Sequence, residues 1–363
     1  MRYRGRVIVS MDIGICVPSH VGDIGYVVRA EELGYSHAWL ADSQMIWSDC
    51  YAALALAADR TSTIKLGTGV AITGTRPASV NAAGIATINA IAPGRTFFGV
   101  GAGNTAMRIM GLPPHRIKQF ECYLQEVKPL LRGEEAMTSP GVSEIPIRHV
   151  MPDKGFVNFE DTIPMYVSGF GPRSLALAGQ YGDGAVLAFP GSAAMMENIW
   201  AMLEKDAPAE FSRDGFYTTA LTAMIVKGEG EEIDSPRIKH ECGAMAMASL
   251  HYAYDQWRNF GYQPPNAVAS VWEDYTKLLA NFPEERRHQR IHLGHNCWVI
   301  PEEQQFLTKE LLQATCLIGT QEELIEKLRA LNEAGLNQVM NLPSFDPRFE
   351  VLETIAEKII PFV

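Results

Sequence analysis

A chain of 363 residues is long for one compact domain but suits an α/β barrel, and 47% hydrophobic with 20% charged residues supplies a globular core. A formal charge of −11 without a basic block excludes a nucleic-acid backbone as partner. The scattered cysteines Cys16, Cys50, Cys122, Cys242, Cys297 and Cys316 form no CxxC pair, which excludes a disulfide framework or zinc ribbon and reads as the reduced thiols of a cytoplasmic protein. No leader-type apolar stretch opens the chain and no run approaches the roughly 18 apolar residues of a membrane span, so no membrane partner is expected.

Strand and helix patterns alternate from the start. Val7 to Val17 is β-rich and ends at Pro18-Ser19-His20; Asp23 to Leu33 carries apolar residues at helical spacing and stops at Gly34. His37 to Leu40 is a short second strand, Tyr51 to Ala58 a helix, Ile64 to Ile72 a third strand, and Ala78 to Ile91 a small-residue helix closed by Pro93-Gly94. Thr96 to Val100 is the fourth strand. Four such units in about 95 residues require a parallel sheet, because each return needs a crossover helix.

A helix over Ile117 to Leu131 and a Pro/Gly-punctuated excursion from Ser139 to Asp161 interrupt the rhythm. It resumes with strand five (Pro164 to Val167), a helix after Pro172, strand six (Ala185 to Phe189), a helix over Ala193 to Leu203, and strand seven (Tyr217 to Val226). The final unit is an amphipathic helix over Gln321 to Asn332, a stop at Gly335, strand eight (Gln338 to Leu342) and a closing helix over Phe349 to Ile360. Eight strands with intervening helices predict a (β/α)₈ TIM barrel occupying residues 1–363 as one domain. Residues 234–312 break the repeat and read as a helical insertion between strands 7 and 8.

Chemistry in such a barrel belongs at the carboxyl ends of the strands. Those ends carry Asp42-Ser43-Gln44, Gly67-Thr68-Gly69, Gly101-Ala102-Gly103-Asn104, Ser168-Gly169-Phe170-Gly171 and Phe189-Pro190-Gly191-Ser192. They are rich in glycine and hydroxyls and poor in carboxylates, with no acid pair, GxSxG elbow or P-loop lysine. A site made of backbone amides and hydroxyls suits a bound cofactor that brings the reactivity. Glycines at alternate positions past Thr96 imply that something approaches the backbone closely, but their spacing is not a dinucleotide fingerprint. Ser168 to Gly171 lead into a helix opened by Pro172 with Arg173 beside it, which is either an anion site for a cofactor phosphate or a plain turn.

The order of several short blocks is similar to that in the luciferase-like flavin-dependent oxidoreductases, the superfamily of bacterial luciferase, alkanesulfonate monooxygenase and methylenetetrahydromethanopterin reductase. The blocks are Ala38-Trp39-Leu40-Ala41-Asp42, Ile64 to Val70 (IKLGTGV), Arg76-Pro77-Ala78, Pro93 to Asn104, Leu131-Arg132-Gly133-Glu134, Ile163 to Val167, Ala178 to Gly184 and Ile318 to Glu323. The resemblance implies FMN, or the deazaflavin coenzyme F420, held at the carboxyl face. It implies a cis Gly69-Val70 peptide after Thr68 behind the flavin ring, Gly101, Gly103 and Asn104 alongside the cofactor, and its phosphate at Ser168, Gly169, Phe170, Gly171 and Arg173.

Many relatives carry a histidine directly after the strand-two aspartate, whereas Ser43 follows Asp42 here. The acid/base role therefore lacks its usual bearer. Asp42, Ser43, His292 and His295 are the catalytic candidates, with Asp42 equally suited to holding its own loop. His288 and His292 share a helix face if the helix continues, but no HExxH motif accompanies them, so no metal is expected. His292 and His295 either overhang the barrel mouth or lie on a polar face beside Arg286, Arg287 and Arg290. Trp39 and Trp47 read as packing residues, and the methionines from Met224 to Met247 as core and cavity lining.

The resemblance leads to the expectation of a reduced-FMN monooxygenase that oxygenates a small organic substrate, served by a separate flavin reductase, and assembled as a homodimer. An F420-dependent reductase or dehydrogenase is the alternative, and a catalytically silent flavin-binding protein the third reading.

Overall fold

The computed structural model describes residues 10–139 and 143–363. Eight strands, β1 (Asp12–Val17), β2 (His37–Leu40), β3 (Lys65–Thr68), β4 (Thr96–Gly101), β5 (Met165–Ser168), β6 (Gly184–Ala188), β7 (Tyr217–Thr222) and β8 (Gln338–Asn341), pair in parallel in chain order. The sheet closes through β8 onto β1 and through β3 onto β4, where Leu66 faces Thr96 and Gly67 faces Phe97. The fold is a (β/α)₈ barrel. Strands β2, β4 and β8 are buried at every residue, as expected when helices cover one side and the barrel interior the other.

The helices α1 (Gly25–Glu32), α2 (Cys50–Arg60), α3 (Ala78–Ile91), α4 (Asn104–Ile109), α5 (Ile117–Leu130), α6 (Pro172–Tyr181) and α7 (Ala193–Leu203) follow the first six strands. Asp49 caps α2 by accepting from the Tyr51 and Ala52 amides at 3.0 and 3.1 Å, a contact worth about 1 kcal/mol. Fully buried Ile15, Leu40, Leu54, Leu66 and Phe98 join the strands to these helices, each burial stabilising by about 1.5–3 kcal/mol.

Inside the barrel, Trp39, Phe97, Tyr166, Val186 and Met340 form a separate apolar cluster. A polar layer accompanies it. Gln338 Oε1 accepts from Trp39 Nε1 at 2.9 Å and from Thr219 Oγ1 at 2.7 Å, and Tyr217 donates to Asp12 Oδ2 at 2.6 Å. Trp39 is thus the packing residue anticipated.

Between β7 and β8 lie α8 (Pro236–Phe260), α9 (Trp272–Ala280), α10 (Arg287–Ile291) and α11 (Lys309–Thr315). Ser235 opens α8 by accepting from the Ile238 amide at 3.3 Å, and Gly261, at φ +69°, ends it. The chain then returns through α12 (Gln321–Glu333), boxed by Thr320 and Glu323, to β8 and α13 (Arg348–Lys358).

Three boundaries differ from the sequence reading for physical reasons. The third strand is broken after Thr68 by the cis Gly69-Val70 peptide and resumes only at Ala71–Ile72. Met224–Val226 leaves the barrel and pairs with Leu317–Gly319, so the seventh strand stops at Thr222. The first strand begins at Asp12; the remainder of the stretch from Val7 includes residues 7–9, which lie outside the described residues, as do residues 140–142 of the excursion. Helix α4 is only six residues long, too short to show a full amphipathic period. Among the described residues, no helix is long and apolar enough to cross a membrane.

Candidate active site

A cleft of about 440 Å³ opens at the carboxyl ends of the strands, and the insertion overhangs it. It is lined by Asp42 and Ser43 after β2, Gly69, Val70 and Ile72 after β3, Gly101 at the end of β4 with Gly103 and Asn104 beyond it, and Ser168 at the end of β5 with Phe170 and Gly171 beyond it. Tyr252 from α8 and His295 and Asn296 from the segment after α10 complete it. Most residues singled out by sequence are therefore brought to one place. Thr68, Gly169, Arg173 and His292 do not line the cleft.

The wall after β3 and β4 explains the glycines. Thr68 is buried and its hydroxyl donates to Gly99 O at 2.6 Å, tying the two strands together behind the cleft. A Cβ on Gly101 would lie 2.8 Å from Val70 Cγ2, and one on Gly103 2.1 Å from Ile72 Cγ2. Gly103 also adopts φ +80° at the start of α4. What approaches this backbone most closely is the neighbouring strand of the protein itself, and the same two glycines face the cleft.

Asp42 is 3% exposed and fully engaged. Its Oδ2 accepts from Arg76 at 2.6 Å and from the Ile72 amide at 3.3 Å, and its Oδ1 from Gln44 at 2.6 Å. Arg76 in turn reaches Asp49, the cap of α2, at 2.6 Å. Such a carboxylate fixes loops around the cleft, its oxygens being taken up by Arg76, Gln44 and the Ile72 amide. Ser43 lines the cleft beside it.

At the end of β5, the Gly169 amide donates to Val186 O at 3.1 Å, holding the turn against β6. Gly171 precedes the ten-residue helix α6, whose first turn carries the exposed Arg173 with no side-chain partner among the described residues. Backbone amides at a helix start together with an unpaired guanidinium form an anion-compatible corner at one end of the cleft. Phe170 is 55% exposed beside it.

The two histidines occupy different layers. Helix α10 ends at Ile291, and Gly294 takes φ +75°, so no single helix face presents His288, His292 and His295. His295 lines the cleft, 5.8 Å in ring centroids from Trp47, with its Nε2 3.0 Å from the Asn296 amide nitrogen. His292 is buried behind it at 5.5 Å between ring centroids, with Nε2 3.6 Å from Asp255. Burial pushes His292 down to about 3 and holds His295 well below the usual imidazole range, so both are neutral near pH 7. Among the described residues, no group of three or more His, Cys, Asp or Glu is arranged to hold a metal ion.

The sequence reading missed His115, Tyr252 and Asn296 and took Trp47 only as packing. His115 lines the cleft with Nδ1 2.9 Å from Thr73 Oγ1, and burial lowers its proton affinity. It follows Pro113-Pro114 in an aperiodic loop, where sequence offers no orientation. One signal was readable: Asn104 and Arg108 are spaced to meet on α4, and Arg108 Nε donates to Asn104 Oδ1 at 2.9 Å.

A closed parallel barrel whose strand-end cleft is walled by glycine backbone and, among the described residues, offers no free carboxylate has the form that suits a bound cofactor. The chain belongs to the luciferase-like monooxygenase family, whose profile matches residues 17–338, and so to the luciferase-like oxidoreductases. It is 26% identical to the 5,10-methylenetetrahydromethanopterin reductase of Archaeoglobus fulgidus over 343 residues, 93% of this chain and 94% of the relative. It is 30% identical to the F420-dependent glucose-6-phosphate dehydrogenase of Beutenbergia cavernae over 329 residues, 85% of this chain and 93% of that one. In fold it matches the coenzyme F420 dependent tetrahydromethanopterin reductase of Methanopyrus kandleri with a TM-score of 0.70, at 20% identity, covering 98% and 100% of the two chains.

Proposed function

We propose that this protein is an F420-dependent reductase or dehydrogenase acting on a small molecule with a carbonyl or imine, or the corresponding alcohol or amine. The observation that carries the reading is the cleft itself: glycine backbone at Gly69, Gly101 and Gly103 leads to the α6 corner, and Asp42, the one carboxylate on its wall among the described residues, is bound by Arg76. Full-length relatives with reductase and F420-dependent dehydrogenase names favour F420 over the FMN-monooxygenase expectation. Bound there, the deazaflavin supplies hydride exchange with a substrate carbon.

The chain's own residues do the rest. Gly69 and Val70 wall the ring site, with Thr68 bracing them from behind. Gly101, Gly103 and Asn104 let a flat group lie against the backbone. The amides after Pro172, with Ser168, Phe170 and Arg173, receive the phosphate, while Gly169 holds the turn against β6. Asp42 holds Arg76 and the β2 loop in place; Ser43 offers a hydroxyl to substrate or cofactor. His295, neutral and facing the cleft, exchanges a proton with the substrate, and His292 stands behind it. A homodimer is part of the same proposal. A separate flavin reductase belongs only to the FMN reading, which the family's monooxygenase name keeps in view.

The test is anaerobic turnover. Reduced F420 offered with a panel of carbonyl and imine acceptors should be oxidised. Oxygen-dependent product from reduced FMN, with no F420 turnover, would overturn the proposal in favour of a monooxygenase, and turnover with neither cofactor would favour a silent flavin-binding protein.

A further inference from the structure

A group of buried polar side chains beside the cleft is not used by cofactor binding. Asp255 on α8 is 3% exposed; Arg108 Nε on α4 lies 3.8 Å from its Oδ2, and His292 Nε2 approaches the same oxygen at 3.6 Å. None of these reaches hydrogen-bond distance. Asp255 Oδ2, both ring nitrogens of His292 and Nδ1 of His295 are all enclosed without a hydrogen-bond partner. Leaving a buried polar atom unpaired costs about 1–3 kcal/mol, so several at one place call for a role beyond packing.

The group is also anchored to the cleft at both ends. Arg108 donates to Asn104, which lines it, and His292 packs edge-on against His295, which lines it too. The charged and titratable groups facing this interior are Arg108 from α4, His251 and Arg258 from α8, and His288 from α10. His251 is itself occupied by Glu303 at 3.0 Å.

Resting on the F420-dependent reading above, we propose that Asp255 and His292 are positioning residues that make His295 the proton acceptor of the cleft, in place of the histidine missing after Asp42. The side-chain nitrogen of Asn296, 3.0 Å away, donates to Nε2 of His295, so the lone pair of the neutral ring is at Nε2 and its hydrogen at the enclosed Nδ1. In the oxidative direction F420 held in the cleft would accept a hydride from the carbon of a substrate alcohol or amine. Its O–H or N–H proton passes to Nε2 of His295, which displaces the Asn296 amide. The products would be a carbonyl or imine, the reduced cofactor and an imidazolium at His295 with the His292 ring edge-on beside it. Burial raises the proton affinity of Asp255 and lowers that of both histidines, so the interior group accepts positive charge only while a proton is in transit.

The test needs no cofactor. Nitrogen-15 NMR of histidine-labelled apoprotein at pH 7 should show His295 as the Nδ1–H tautomer, the reverse of a free neutral histidine's preference. In Asp255→Asn and in His292→Gln the ratio should move measurably toward Nε2–H, because the polar surroundings of the enclosed Nδ1 are altered without any hydrogen bond to it being removed. His292→Gln leaves the Arg108–Asp255 contact in place and covers the case in which Asp255→Asn does not fold. With cofactor loaded, both variants should lower kcat roughly tenfold or more and move the acidic limb of its pH profile, with KM and cofactor affinity unchanged. Nε2–H in the wild type, or a tautomer ratio untouched in both folded variants, would overturn the relay. Failure of the wild type to bind F420 would instead remove the functional reading and leave the tautomer result standing by itself.

Discussion

Two buried polar regions sit within one barrel, and they are built to opposite standards. In the interior layer, Trp39, Gln338, Thr219, Tyr217 and Asp12 satisfy one another at 2.6 to 2.9 Å. In the group formed by α4, α8 and the segment after α10, Arg108, Asp255, His292 and His295 stand near one another with atoms left unpaired. Paired polar groups hold a structure; enclosed and unpaired ones are tolerated where the chemistry needs them. The contrast separates what keeps the barrel closed from what is proposed to operate at its mouth.

The largest effect expected from that contrast is at Trp39. Trp39→Ala empties the fully buried centre of the barrel and leaves Gln338 short of a donor, so it should cost about 3–5 kcal/mol in chemical unfolding. Asp42→Asn comes next: removing a buried charge from Arg76 should destabilise by about 2–3 kcal/mol, by the same measurement. His292→Leu should go the other way. Replacing an unpaired buried ring with an apolar side chain should leave stability at pH 7 unchanged or raised, while turnover falls. A loss of stability as large as that of Trp39→Ala would erase the distinction between the two regions.

The pH dependence follows from the depressed proton affinity of His292. Its folded value lies near 3 against 6.5 for an exposed imidazole, so the unfolded chain binds the extra proton and stability falls as pH drops from 6.5 toward 3. His37, also pushed down to about 3 by burial, acts in the same direction in the same window. Removing His292 should flatten the slope of unfolding free energy against pH by up to about 1.4 kcal/mol per unit. The smallest expected effect is at the cleft's far end: Arg173→Ala should weaken cofactor binding about tenfold, less so at high salt, without changing the unfolding midpoint.

The barrel was legible because its strands are buried on both faces and its helices are amphipathic, so each unit announces itself within a dozen residues. The strand-end half of the cleft was legible for a related reason: position after a strand fixes where Ser43, Gly101, Gly103 and Ser168 must lie. Strand three was read as continuous because Gly69 and Val70 fit a strand pattern and only the folded backbone breaks it. The insertion resisted reading. Arg108, Asp255 and His292 come from three distant stretches, and no local period reports that they meet. His292 and His295 were read together, either over the mouth or on a polar face, whereas the turn at Gly294 sets one on the cleft and one behind it.

The central claim is that the cleft receives F420, and direct titration of the apoprotein tests it. F420 fluorescence should be perturbed saturably with one site per chain, an excess of FMN should not displace it, and Arg173→Ala should weaken it. Tight FMN binding with no response to F420 would contradict the account.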